Sequence, residues 1–178
     1  MKNIYLMRHS KAGQTKKQLL NDHDRPLTEK GRELCPAIGK YIRVLGKPDL
    51  ILCSTAKRAK DTAELISKPL GKSTKLIEMQ KLYLASPGEI LSVINEINDK
   101  INSVLIVGHN NGLQKFCVEF AGKGDKKKFR EMRHNFPPAS LAVFGLAQKK
   151  WDEVKMRSGF LKDFVMAKDL VRGSGHSL

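Results

Sequence analysis

The sequence predicts an α/β fold of three layers, a mainly parallel central sheet with helices on both faces. Three observations predict it. Short apolar runs at Ile4–Met7, Leu50–Cys53 and Ser103–Val107 have the look of strands buried on both sides. Between them lie stretches whose apolar residues recur at helical spacing. The alternation then ends in two more β-like stretches.

The first run, Ile4–Met7, reads as a buried strand, although periodicity alone leaves a short buried helix open. It stops at Arg8-His9-Ser10. Lys11–Asp24 is polar, rich in Lys and Gln, and reads as a loop beside the site. Thr28 is a plausible N-cap for a helix carried by Leu34, Ile38, Tyr41, Ile42 and Leu45. Pro36 should kink that helix or delay its start, and Gly46 and Pro48 should end it. Asp49–Cys53 is the second strand. It enters a helix from about Ala56 to Leu70 that Ser54 or Thr55 can cap, with Arg58 near its first turn.

Thr74–Glu78 is a short third strand. Ser86, Pro87 and Glu89 mark a helix entrance, with Ile90, Leu91, Ile94 and Ile97 on one face of the helix. Ser103–Val107 is the clearest strand and stops at Gly108-His109, before a helix from about Leu113 to Ala121. Gly122–Arg130, rich in lysine, reads as a solvated loop and helix start. Ser140–Leu146 and Trp151–Ser158 read as two strands joined through Ala147–Lys150. The stretch from Lys168 to Leu178 is polar and reads as loose, so a single domain over 1–170 with a flexible tail over 171–178 is expected.

A chain of 178 residues with 40% hydrophobic and 29% charged residues can bury a real core. The net charge of +15 points to an anionic partner or substrate, or to solubility alone. Cys35, Cys53 and Cys117 form neither a disulfide framework nor a zinc motif, which suits a reducing cytoplasm. The N-terminal apolar run is too short for a signal peptide, and no stretch is long enough to span a membrane. The five histidines lack ligand partners at metal spacing, so neither metal nor cofactor is expected.

Arg8-His9, Arg58 and Gly108-His109 occupy three strand ends or the turns just beyond them. In a parallel sheet those ends share one edge, where ligand sites of such sheets lie. Two arginines and two histidines should therefore converge in one pocket.

In this light the sequence resembles the histidine phosphatase superfamily, with its phosphoglycerate-mutase-like fold, and most of all its SixA-type phosphohistidine phosphatases. The matching pieces are Met7–Ser10, Arg25–Gly31, Ser54–Ala63, Leu82–Ser86 and Val107–Asn110, with Lys168–Leu170 near the end. They keep the family order across nearly the whole chain. The resemblance implies that His9 is the nucleophile, Arg8 and Arg58 bind the phosphoryl group, and His109 contacts its oxygens. It also implies that Ser10 and Arg25 help bind substrate.

The chemistry is consistent. Cations aimed at the equatorial oxygens stabilise a transferring phosphoryl group, and the arginine fork suits them without a metal. Neighbouring arginines keep the attacking imidazole unprotonated. Two departures from the family stand out. Thr55 replaces a frequent proline, and Leu82–Ser86 holds no carboxylate to serve as general acid. Glu78 and Glu89 flank that segment without matching well.

A departing alkoxide needs a proton more than a departing imidazole does. The expected substrate is therefore phosphohistidine, with an acidic phosphoprotein as the partner that the positive charge would suit. The alternatives are a small phosphomonoester or nucleotide, or a basic module that binds nucleic acid or phosphoprotein. The low aromatic content, 6%, and the spread of basic residues speak against specific nucleic-acid binding.

Overall fold

A computed structural model describes residues 1–13, 21–71 and 74–173, with backbone only for 172 and 173. Its elements are β1 (Lys2–Arg8), α1 (Glu29–Leu45), β2 (Leu50–Ser54), α2 (Lys57–Leu70), β3 (Lys75–Met79), α3 (Pro87–Asn95), β4 (Ser103–Gly108), α4 (Gly112–Phe120), β5 (Ala121–Gly124), α5 (Lys126–His134), β6 (Ser140–Leu146), β7 (Gly159–Met166) and α6 (Ala167–Gly173). The strands form one sheet in the order β3-β2-β4-β1-β6-β7-β5. β1, β2, β3 and β4 are mutually parallel, and β6 runs against both of its neighbours.

The apolar runs are unbroken because each strand feeds two cores. Ile4, Leu6, Leu50, Leu52, Val104 and Ile106 pack on one face with residues of α3, α4 and α5. Tyr5, Met7, Ile51, Cys53, Leu105 and Val107 pack on the other with α1, α2 and α6. Successive side chains of a strand point to opposite faces, so both sets must be apolar. The result is the expected three-layer arrangement. The three cysteines are free and buried.

Local signals held at several helix ends. Thr28 caps α1, its hydroxyl accepting from the Gly31 amide. Ser86 and Glu89 form a reciprocal capping box at α3, with Pro87 in its first turn. Pro36 lies inside α1 and does not delay its start.

Four readings are corrected. Trp151–Ser158 is not a strand. Trp151 is buried, its indole Nε1 donates to the Ile101 carbonyl at 2.8 Å, and its amide donates to Asp99 Oδ1 at 2.9 Å. Asn95 Nδ2 donates to the Trp151 and Val154 carbonyls at 2.8 and 3.0 Å, so side-chain and loop partners satisfy groups a ladder would otherwise need. The strand is Gly159–Met166, where Gly159, Leu161 and Phe164 turn inward, and the connection from β6 spans 147–158.

Gly122–Arg130 is not simply a loop before a helix. Ala121–Gly124 pairs in parallel with β7, and Asp125 then caps α5 through the Lys127 and Lys128 amides. The stretch from Lys168 is not loose as far as Gly173, since α6 includes it. The expected tail beyond Gly173 falls outside the described residues. Finally, Ala56 rather than Ser54 or Thr55 holds the N-cap position of α2, with no side-chain cap.

Candidate active site

The carboxyl ends of β1, β2 and β4 lie side by side, and their last residues build the pocket. His9 follows β1. Its amide donates to the Gly108 carbonyl at 3.0 Å and its carbonyl accepts from the Ala139 amide at 3.2 Å, so neighbouring chain fixes its backbone on both sides. Its Nδ1 lies 2.7 Å from the Ser10 carbonyl. A carbonyl only accepts, so Nδ1 carries the proton and Nε2 presents a lone pair. Arg58 Nε donates to that Nε2 at 3.3 Å.

The His9 imidazole is held neutral. Burial is the largest cause, and Arg58, Arg8 and Arg25 add to it. The Ser10 carbonyl opposes them, and the pKa still falls to about 4. Desolvation thus contributes more than the neighbouring arginines do.

His109 sits with its ring 5.1 Å from that of His9. Its Nε2 meets the Ser54 hydroxyl at 2.7 Å, and that oxygen also accepts the Ala56 amide at 3.2 Å. Burial first, then the neighbouring His9 and Arg58, lower its pKa to about 3. His109 Nδ1 and Arg8 Nε are buried and have no partner among the described residues. Arg8 is held by Nη1 donating to the Phe136 carbonyl at 2.9 Å. Arg8, His9, Arg58 and His109 are thus brought together as the strand-end argument expects.

The surrounding motifs act as a frame. The segment after His9 is clamped by Arg25–Gly31: Thr28 N donates to the Lys11 carbonyl at 2.9 Å and Gly13 N to the Pro26 carbonyl at 3.0 Å. Gly31 is required at this crossing, because a Cβ there would stand 2.2 Å from the Lys11 carbonyl oxygen. Thr62, one turn after Arg58, accepts the Ser10 amide at 3.0 Å. Asp61 ties α2 to α1 through Arg32 at 3.4 Å and also takes Lys57 at 3.1 Å.

Ser10, expected at the substrate, instead supports the frame. It is fully buried, and its hydroxyl donates to the Gly31 carbonyl at 2.7 Å. Arg25 lies near the rim, where Nε donates to the Gly13 carbonyl at 2.9 Å and Nη1 to Asp22 Oδ1 at 2.8 Å.

Glu78 and Glu89 are both engaged elsewhere. Glu78 pairs with Lys60 at 2.8 Å, and Glu89 belongs to the α3 cap. The carboxylate that does reach the site is Asp22, which the sequence argument missed. Asp22 Oδ2 accepts from Arg58 Nη2 at 2.9 Å and from the Tyr83 hydroxyl at 2.9 Å, while its main-chain carbonyl accepts from Arg58 Nη1. Desolvation pushes its pKa up, but hydrogen bonds from Arg25, Tyr83 and Arg58 outweigh that and hold it well below the usual carboxylate range.

Tyr83 also stands edge-on to His109 at 5.5 Å and to His23 at 5.0 Å. Thr55, in the family's frequent proline position, donates its hydroxyl proton to Gln80 Oε1 at 2.6 Å and lies 3.0 Å from His23 Nε2. Among the described residues, no group of three or more His, Cys, Asp or Glu side chains could hold a metal ion. No described helix is long and apolar enough to cross a membrane.

The family model of the histidine phosphatase superfamily (branch 1) matches residues 4–83. An uncharacterized protein of Mycobacterium tuberculosis is 30% identical over 152 residues, covering 84% of this chain and 92% of its own length. A structure from Nakamurella multipartitia, provisionally assigned as a phosphohistidine phosphatase SixA, superposes with a TM-score of 0.78 at 26% identity, covering 92% of this chain and 95% of that one. The mitochondrial serine/threonine-protein phosphatase PGAM5 of Xenopus tropicalis is 46% identical over 70 residues, 39% of this chain and 24% of its own length.

Proposed function

The chain belongs to the histidine phosphatase superfamily, in its SixA-like branch, and on that footing we propose that it dephosphorylates phosphohistidine in a protein through a phosphoenzyme formed on His9. The observation that carries this reading is the lone pair of His9 Nε2, directed by the Ser10 carbonyl and set beside Arg8 Nε and His109 Nδ1, both buried and without a partner among the described residues.

The steps follow from that arrangement. His9 Nε2 attacks phosphorus in line with the departing group. Arg8 and Arg58 bind the equatorial oxygens and offset the charge that a divalent cation offsets in other phosphotransfer sites. If the Ser54 hydroxyl donates to His109 Nε2, Nδ1 carries a proton and offers it to a phosphoryl oxygen. Water then hydrolyses the phosphohistidine on His9.

The substrate class rests on the leaving group. An alkyl ester needs a proton donor at the departing oxygen. Asp22 is held ionised and Glu78 and Glu89 are engaged away from the site, so no carboxylic acid stands ready. The likeness to a serine/threonine-protein phosphatase favours a second reading, a phosphate ester of a protein hydroxyl, but it covers only 39% of this chain.

A substrate panel separates the two. A phosphohistidine peptide and p-nitrophenyl phosphate should be turned over, and a phosphoserine peptide at least tenfold less well in kcat/KM. Efficient phosphoserine turnover would replace the first reading with the second.

A further inference from the structure

The Asp22 carboxylate is the one acidic group in contact with the proposed phosphate clamp among the described residues, and the mechanism above gives it no task. We propose that Asp22 selects the leaving group by accepting the remote ring N–H of a departing imidazole. The inference rests on the phosphohistidine reading and deepens it.

Asp22 lies on the outer side of Arg58. The Arg58 side chain is 4% exposed and that of Asp22 46%. Arg58 Nε faces His9, while Nη1 and Nη2 face Asp22. The attacking nitrogen is therefore at the floor and the carboxylate toward solvent. A group displaced in line from His9 leaves outward, past Asp22 and the Tyr83 hydroxyl that holds it. The guanidinium has more N–H donors than these contacts use, so Arg58 can bind phosphoryl oxygens without releasing Asp22.

The proton balance points to the same partner. In a phosphohistidine whose ring is protonated on its remote nitrogen, the phosphorus–nitrogen bond breaks with its electron pair returning to the ring. A neutral imidazole departs and no proton moves. His9, neutral before attack with its proton on Nδ1, takes up the phosphoryl group on Nε2 and becomes the positively charged ring. The two imidazoles exchange roles, and each needs an acceptor at its remote N–H. Ser10 O supplies that acceptor for His9 at 2.7 Å. Asp22 supplies it for the substrate, with a full negative charge that favours the protonated ring. The same charge repels a departing alkoxide and gives it no proton. One carboxylate thus favours phosphohistidine and disfavours alkyl esters. A p-nitrophenolate leaving group has no ring N–H to offer and cannot use the contact.

The test compares Asp22→Asn and Tyr83→Phe with the wild-type protein on a phosphohistidine peptide and on p-nitrophenyl phosphate. The readout is the ratio of the two kcat/KM values. Asp22→Asn should lower that ratio at least tenfold. Tyr83→Phe, which only loosens Asp22, should lower it less. A ratio within threefold of wild type in Asp22→Asn overturns the role of Asp22, including the case in which both activities fall together because Arg58 has shifted. If the wild-type protein leaves phosphohistidine untouched, the substrate reading fails and the inference falls with it. The two failures are thus told apart by the wild-type protein alone.

Discussion

Arg58 shows how much one side chain is asked to do. Its guanidinium meets His9 Nε2 through Nε and Asp22 through both terminal nitrogens, in a position only 3% exposed. A lysine keeps the charge but not the planar fork. Arg58→Lys should therefore lose on the order of 2–4 kcal/mol of transition-state stabilisation, roughly 30- to 1000-fold in kcat/KM. Steady-state assay on p-nitrophenyl phosphate checks this, and a loss of about threefold or less would remove Arg58 from the phosphoryl group.

At this scale the sequence was informative where chemistry and strand ends coincide, as with Arg8, His9, Arg58 and His109. It was silent on Asp22, whose importance depends on a polar segment folding over a helix entrance that no local pattern specifies. Ser10 shows a related limit. A hydroxyl next to a reactive histidine suggests substrate contact, yet the strand end turns it into the frame, onto the Gly31 carbonyl.

Elements explain why the motifs around the pocket take the form they do. Arg25–Gly31 begins α1 and braces the chain that follows His9. Gly31→Ala would press a methyl group onto backbone at Lys11, which cannot swing aside as a flexible side chain can. About 1–3 kcal/mol of destabilisation is expected, a fall in Tm of about 2–4 °C for each kcal/mol. Thermal unfolding measures it, and an unchanged Tm would show that the crossing is looser than described.

Strands β1, β2 and β4 were legible because a run buried on both faces is apolar throughout. β5 was not, because Ala121–Gly124 offers four residues, two of them glycine, and its pairing with β7 depends on distant chain. The Trp151 error has the opposite cause. An aromatic followed by a valine looks like strand, but this indole is a core plug whose turn is tied down by Asn95 and Asp99.

Across the whole molecule, burial at the carboxyl edge of the sheet leaves His9 and His109 neutral, and this carries a stability consequence. Both fall from an ordinary value of 6.5, to about 4 and about 3 respectively. Below pH 6.5 the unfolded chain takes up protons on these histidines that the folded protein refuses, so acid favours unfolding. Their contribution is absent as a penalty above about pH 6.5 and grows as pH falls toward 4. Urea unfolding of the wild-type protein should show stability dropping across that window, and His9→Gln should flatten the slope. An identical slope in the variant would mean that His9 is not buried neutral. The same depressed value keeps His9 nucleophilic well below pH 6.5, so the acid limb of kcat/KM should lie nearer pH 4 than the usual histidine range.

The central claim is that His9 becomes the phosphorylated residue, and trapping it is the most direct test. Brief incubation with a phosphohistidine peptide or p-nitrophenyl phosphate, followed by alkaline denaturation and mass spectrometry of the peptides, reads the position of the phosphate. The account predicts an acid-labile, base-stable phosphate on His9 in the wild-type protein and neither phosphate nor turnover in His9→Ala. Phosphate on another residue, or His9→Ala turning substrate over at close to the wild-type rate, would contradict it.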